Sequence, residues 1–252
     1  MEGLGLQDDW LKVVNSLRSI SDIYDRVNRV ISFNRDLELR AETLNGVLAE
    51  GDRLLDLGCG PGVFSRVAKK IQPELGEIIM VDILDEMLGR TRPDGHTHII
   101  QGVFEKIPLR DSSIDTLIMG FALRDSQNLS EALKEIHRVI KNNGGKAAIV
   151  DLGKPDARIR RTLIAIYWRI IAPLIAFTAL GRRGLEVSKI YTTYKRHPRT
   201  SQLKNLLAQH FHNVRVKEKM MGGVILIHAI KANNLITHNQ QLNPDHDREA
   251  QA

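Results

Sequence analysis

The feature that most limits how this chain can fold is the run Leu54-Leu55-Asp56-Leu57-Gly58-Cys59-Gly60-Pro61-Gly62, an apolar strand that breaks into glycines at alternate positions before a helix begins near Val63. Without a Cβ, glycine enters positive φ and lets backbone approach a bound molecule, while the free amides at a helix start favour a negative group. Pro61 stiffens the turn, and Asp56 is expected to offer its carboxylate to a ligand's ammonium group, which a phosphate-binding turn would not want. A dinucleotide turn needs a third glycine where Val63 stands, and no GxxxxGK[ST] loop is present. A tight connection without a ligand is the plain alternative. Asp82 ends the next strand, EIIMVD, where a doubly wound sheet brings it beside the turn. There it can accept both hydroxyls of a ribose or, more simply, cap the helix starting near Asp85. Ile83 follows and offers an apolar face for a purine.

After Gly51, short apolar runs (RLLDLG, EIIMVD, THIIQG, DTLIMGF, KAAIVDLG) alternate with helical stretches at Val63 to Ile71, Leu84 to Arg90 and Leu129 to Ile140. Strands each followed by a crossover imply an α/β fold with a doubly wound, mainly parallel, seven-stranded Rossmann-like sheet. The last two strands, 213–219 and 223–231, are joined by Met220-Met221-Gly222, which forces an antiparallel carboxyl-terminal hairpin at the sheet edge. Residues 1–50 repeat apolar positions at helical spacing and are expected to form amino-terminal helices; 51–233 is the main domain, with a helical lid inserted at 155–199; and 234–252 is a polar tail expected to be disordered.

A chain of 252 residues with 42% apolar content can bury one large core. Its single cysteine, Cys59, rules out an internal disulfide and a thiolate zinc site, and with no secretory pattern at the amino terminus the expectation is a reducing cytoplasm. The pairs His96/His98 and His210/His212 lack metal-site spacing, so no metal is expected. The net charge of +6 is concentrated between Arg158 and Arg199, where Glu186 is the lone acid. Inside that stretch TLIAIYWRIIAPLIAFTAL is long enough to span a bilayer, yet Arg169 and Pro173 interrupt it and arginines flank both ends. A lid with an apolar inner wall and a basic rim on anionic lipid at the inner face of the cell membrane fits better, and the 163–180 segment equally suits a homodimer interface. Trp168, Tyr167 and Phe177 lie in apolar sequence rather than among the basic residues, so nucleic acid is not an expected partner.

Together these residues resemble class I S-adenosyl-L-methionine-dependent methyltransferases, and more narrowly the family that C-methylates the ring of menaquinone and ubiquinone precursors. The resemblance runs from Ser21 to Lys231 and rests on IYDRVNRVIS (23–32), FEKIPLRDSSID, FALRD, NGGKAAIVDLGKP and KRHPRTSQLKNLL. It implies that S-adenosyl-L-methionine is held by Asp56, Gly58, Cys59, Gly60, Gly62, Asp82, Ile83, Val103 and Phe104. It also implies an amino-terminal helix bearing Tyr24, Asp25 and Asn28 over the active site, with Tyr24 against cofactor or substrate. The acceptor implied is a hydrophobic, prenylated quinol of the demethylmenaquinol kind. A ring hydroxyl has a pKa near ~10, so its ionisation needs help; Arg124 could stabilise the phenolate and Asp125 take the proton, unless the two form a mere surface turn. His197, before Pro198, is a further proton acceptor or an ordinary turn residue.

Four departures bear on substrate. Val103 stands where the family has an acid for the adenine amino group, Asp125 replaces an asparagine, the family's Gly-x-His-Arg-x-Trp-Lys after the first helix is not kept in FNRDLELRA (33–41), and Val187-Ser188-Lys189 replaces Tyr-x-Tyr. A methyltransferase for another apolar acceptor, lipid or phenolic oxygen, and a non-catalytic membrane-associated binding module therefore stay open.

Overall fold

The computed structural model describes residues 4–231. Its strands β1 (Leu54–Leu57), β2 (Ile78–Asp82), β3 (Thr97–Gln101), β4 (Thr116–Gly120) and β5 (Lys146–Leu152) run parallel, while β6 (Asn213–Lys219) and β7 (Val224–Ile230) form an antiparallel hairpin. The order across the sheet is β3-β2-β1-β4-β5-β7-β6, with β7 antiparallel to β5. This is the doubly wound, mainly parallel seven-stranded sheet that the apolar runs predict. Every residue of β1 and β4 is buried, as for central strands covered on both faces. On the edge strand β6, Arg215, Lys217 and Lys219 discourage pairing with another chain.

Ahead of the sheet stand α1 (Trp10–Ser19), α2 (Tyr24–Ile31) and α3 (Asp36–Thr43); α4 (Val63–Ile71), α5 (Asp85–Leu88) and α6 (Leu129–Val139) follow β1, β2 and β4. Asn128 caps α6, its side chain accepting from the amides of Ser130 and Glu131. One expectation needs correction: the helix after β2 stops at Leu88 rather than Arg90, because Gly89 is a poor helix former. The crossover from β3 to β4, residues 102–115, holds no helix, and it brings Val103, Phe104 and Glu105 to the cleft.

The insertion forms α7 (Arg158–Ile166), a π-helical turn (Tyr167–Ile171), α8 (Ala172–Leu180), a 3-10 stretch (Gly181–Ser188) and α9 (Lys189–Arg196), before α10 (Thr200–Ala208). Pro173 explains the π turn. It has no amide for the Arg169 carbonyl and its ring crowds that carbonyl, so the ladder widens, with Ala172 N–H donating to Tyr167 O. The helix is long and apolar enough to cross a membrane. One face is nevertheless committed to the domain: Trp168, Ala172 and Ala176, four residues apart, pack with Val27 and Ile31 of α2. Tyr167 Oη donates to Ile31 O at 2.6 Å, Ser16 Oγ donates to Glu186 at 2.8 Å, and Arg196 pairs with Asp9. Helices α1 and α2 and the insertion thus pack together beside the carboxyl ends of the strands, whereas α3 packs with α4 against β5 and β7. The expected tail, 234–252, lies outside the described residues.

Candidate active site

The glycine turn is fastened to β2 by backbone bonds before any ligand is considered. Gly58 N and Cys59 N both donate to Val81 O, at 2.7 and 3.1 Å. Asp82 Oδ2 accepts from Gly60 N at 2.8 Å and Oδ1 accepts from Leu84 N at 2.9 Å, so it braces the turn and the residue before α5 without capping that helix, whose N-cap Leu84 has no side-chain cap bond. Each oxygen keeps a lone pair for a ribose hydroxyl. Gly58 has φ of +70°, and a Cβ there would lie 2.6 Å from the Ala122 Cβ. The structure brings Gly58, Gly60, Asp82, Ile83, Val103 and Phe104 together around one narrow cleft. Sequence reasoning missed Glu105 on its wall, and missed that Trp10, Val13, Val14 and Leu17 of α1 close it from outside. The cleft encloses about 60 Å³, far below the ~300 Å³ or more of small-molecule sites, so its walls stand closer together than a nucleoside requires.

Three residues expected to touch the cofactor do not line the cleft as it stands. Asp56 is fully buried; its Oδ2 accepts from Ser65 N and Oγ at 2.9 and 2.7 Å and ties β1 to α4, while its Oδ1 is left without a partner. Burial pushes its carboxyl up to about 6 while Ser65 pulls the other way. Cys59 is buried, its thiol pushed up by desolvation, and Gly62 caps α4 with a φ of +78°.

A second cavity, of about 550 Å³, lies between α2, α3, α7, the π turn and the Met220–Gly222 turn. Its walls are apolar, including Ile31, Leu39, Leu152, Ile164, Trp168 and Val224, so the lid has the inner wall expected of it. Phe121, just past β4, lines both this cavity and the cleft, and its φ of +59° is strained for an aromatic residue. Between the two spaces sits a chamber of about 30 Å³, room for one water. Tyr24 and Asp125 line chamber and cleft; Asn28, Arg124 and Ile190 line chamber and cavity.

Arg124 and Asp125 therefore straddle the junction. Arg124 Nη1 donates to Asp151 Oδ1 at 2.9 Å, and the Arg124 amide donates to Asp151 Oδ2 at 2.8 Å. Burial opposes the charge on Arg124, but Asp125 and Asp151 overcome it and keep it cationic. Burial raises Asp125 to about 6 against the pull of Arg124. Burial also raises the Tyr24 hydroxyl, so it stays protonated at neutral pH. His197 needs correction as a proton acceptor: it is buried at the end of α9, lines none of these three spaces, and is pushed down to about 4 by desolvation.

Arg40 was not legible as a site residue, though one signal was available. It falls with Asp36, Leu39 and Thr43 on the buried face of α3, where a cation is out of place. Its guanidinium lies 5.4 Å from the Phe64 ring centre and 5.1 Å from that of Phe121. Buried side-chain atoms without a hydrogen-bond partner are found on Asp25, Arg40, Asp56, Arg124 and Asp125, and otherwise, among the described residues, only on Trp168 and His197. Each such atom costs ~1–3 kcal/mol, so their concentration around the turn and junction fits a polar, charged ligand. The apolar sides of the cleft at Ile83, Leu84 and Phe104 suit a purine; the residues present thus fit S-adenosyl-L-methionine.

Comparison with known proteins agrees. The model of the ubiE/COQ5 methyltransferase family matches residues 6–231. A demethylmenaquinone methyltransferase of Staphylococcus aureus strain JH9 is 27% identical over 217 residues, covering 84% of this chain and 89% of the relative. Among solved structures, an S-adenosylmethionine-dependent methyltransferase of Thermotoga maritima, described as a possible histamine N-methyltransferase, superposes with a TM-score of 0.58 at 19% identity, covering 87% of this chain and 99% of that one. One from Mesorhizobium loti gives 0.56 at 20% identity, covering 77% and 99%. These structural likenesses speak for the fold.

Proposed function

The chain belongs to the ubiE/COQ5 methyltransferase family and is an S-adenosylmethionine-dependent methyltransferase; on that premise we propose that it methylates a ring carbon of a prenylated quinol, of the demethylmenaquinol kind, at the cytoplasmic surface of an anionic membrane. The observation that carries this is the junction: one small chamber, bounded by Tyr24, Arg124 and Asp125, shares wall residues with both the glycine-turn cleft and a large, mainly apolar cavity.

When bound, the cofactor supplies an electrophilic methyl group on a sulfonium. The protein's part is to hold the two reactants in line and keep water out. Gly58, Gly60 and Asp82 hold the nucleoside end. Arg124, fixed by Asp151, faces the apolar cavity and stabilises the oxygen anion of the quinol. The hydroxyl proton crosses the chamber through a water to Asp125. The ring carbon beside the oxygen would then take the methyl group as that group's bond to the sulfonium sulfur breaks, and on rearomatising the ring sheds that carbon's proton while the oxygen regains one, so the net release is one proton per methyl transferred. Asp125 must be ionised to accept, so kcat/KM is expected to rise with pH through about 6 and level off above it. Asp125→Asn should remove that limb of the profile; an unchanged limb would exclude Asp125 as the base. Transfer to the phenolic oxygen would use the same cavity, and the position of the product methyl separates the two.

Membrane delivery is supported by the outer face of the insertion. Ile159, Leu163, Ile166, Ile170 and Leu174 form a stripe at helical spacing, exposed by 78%, 48%, 43%, 50% and 57%. Leu163 and Ile166 also line the apolar cavity, so stripe and cavity meet at its mouth. Arg158, Arg182 and Lys189 are exposed nearby in sequence. An apolar tail could enter without crossing water. Replacing Ile170 and Leu174 by glutamate removes two side chains worth ~1.5–3 kcal/mol each and should cut flotation with anionic liposomes at least about tenfold. Binding indifferent to lipid charge and salt would refute the role given to the basic residues, and no flotation with either lipid would refute membrane delivery itself.

A further inference from the structure

We infer that Arg40 binds the carboxylate of the cofactor's methionine moiety, and that this contact selects the whole cofactor over nucleosides lacking the amino-acid end; the inference rests on the methyltransferase reading above. Four observations converge on it. Arg40 is 3% exposed, yet it forms no hydrogen bond or ion pair with any described residue, and its Nε is fully enclosed without a partner. Asp25, Asp36 and Asp56 act on it through their charge, but none is within ion-pair distance. A buried cation left unpaired costs several kcal/mol, so the site is incomplete without an anion.

Room for the guanidinium is built into the sheet. A Cβ on Gly120, the last residue of β4, would fall 1.7 Å from Arg40 Nη1, so a glycine is required there for space rather than for φ. The rings of Phe64 and Phe121 flank the charge and hold its plane. Phe64 lies in the first turn of α4, directly after the glycine turn, so the cation and the amino terminus of that helix favour the same anion.

The polarity of the cleft leaves one end of the cofactor for this position. The ribose end belongs at Asp82, and Tyr24 packs against the turn, 3.8 Å from where a Cβ on Gly60 would stand. The amino-acid end must then extend past Gly60 towards Tyr24 and Phe121, beside which Arg40 lies. Arg40 lines none of the three spaces as they stand and borders the site only through Phe121 and Gly120; the acceptor's oxygen anion already has a cation in Arg124, which lines the apolar cavity. A planar guanidinium matches a carboxylate with two parallel hydrogen bonds, which lysine cannot reproduce.

Calorimetry on the full chain tests this with two thioethers, S-adenosylhomocysteine, which has the carboxylate, and 5′-methylthioadenosine, which does not. Arg40→Met should weaken the first roughly 10- to 100-fold and leave the second unchanged, with Arg40→Lys between methionine and wild type. Gly120→Ala, which displaces the guanidinium without altering it, should give the same selective loss. Equal weakening of both ligands, or no weakening of S-adenosylhomocysteine, would overturn the assignment. Wild-type protein that binds neither ligand would overturn the methyltransferase reading itself, an outcome distinct from either.

Discussion

Replacing Arg124 by methionine is expected to destabilise the protein by about 3 kcal/mol and to lower kcat by 10²- to 10³-fold. The two losses have different causes. Stability falls because Asp151, with no exposed surface, loses the guanidinium that balances its charge; the amides of Arg124 and Leu152 still donate to it, which keeps the loss near the lower end of the ~3–5 kcal/mol range. Activity falls because the oxygen anion of the acceptor loses its cation. The double variant Arg124→Met with Asp151→Asn removes both charges and should recover most of the stability while kcat stays low. Denaturant midpoints and single-turnover rates on the two proteins separate the effects. Recovery of kcat along with stability would show that Arg124 serves the fold alone.

Gly58→Ala should be nearly as damaging, through the cofactor rather than the acceptor. Its φ of +70° costs an alanine ~1–2 kcal/mol, and the new methyl would stand 2.6 Å from Ala122 Cβ and 3.0 Å from the Phe104 ring. Phe104 is itself a wall of the cleft, so relieving the clash moves a surface that meets the purine. Affinity for S-adenosylhomocysteine should drop at least about tenfold, and Ala122→Gly in the same chain should restore part of it, leaving the backbone cost. Calorimetry showing unchanged affinity in Gly58→Ala would mean that the turn does not approach the ligand.

What was legible in the sequence was whatever depends on local chemistry or periodicity. Alternating apolar runs specify a parallel sheet, and glycines beside a strand end with Asp82 on the next strand specify a nucleoside cleft. Each of those residues can be interpreted with its immediate neighbours. Asp56 could not, because an acid at a strand end looks the same whether it meets a ligand or Ser65, nine residues on and on the next helix. The crossover between β3 and β4 was legible in the same local way: the prolyl and turn residues of FEKIPLRDSSID keep it a loop.

Residues whose role comes from long-range packing were invisible. Trp10, Val13, Val14 and Leu17 have the spacing of any amphipathic helix, and only the tertiary fold lays them across the cleft. Phe121 gives no hint of its positive φ. Arg40 left a faint trace as a cation on an apolar face, but its meaning depends on Gly120, 80 positions away, making space for it. The pair Arg124–Asp125 was identified from sequence, whereas its division between two spaces was not. Arg124 faces the acceptor cavity and Asp125 the cofactor cleft.

The most direct measurement is methyl transfer with S-adenosylmethionine carrying a ¹³C methyl group, using a reduced prenylated quinol in anionic vesicles and the full chain, with the product examined by NMR. The label should appear as a methyl on a ring carbon, lost when Arg124 is replaced by methionine. A label found as a methyl ether, or found only on a water-soluble acceptor while the quinol is untouched, would contradict ring methylation at the junction of the two cavities.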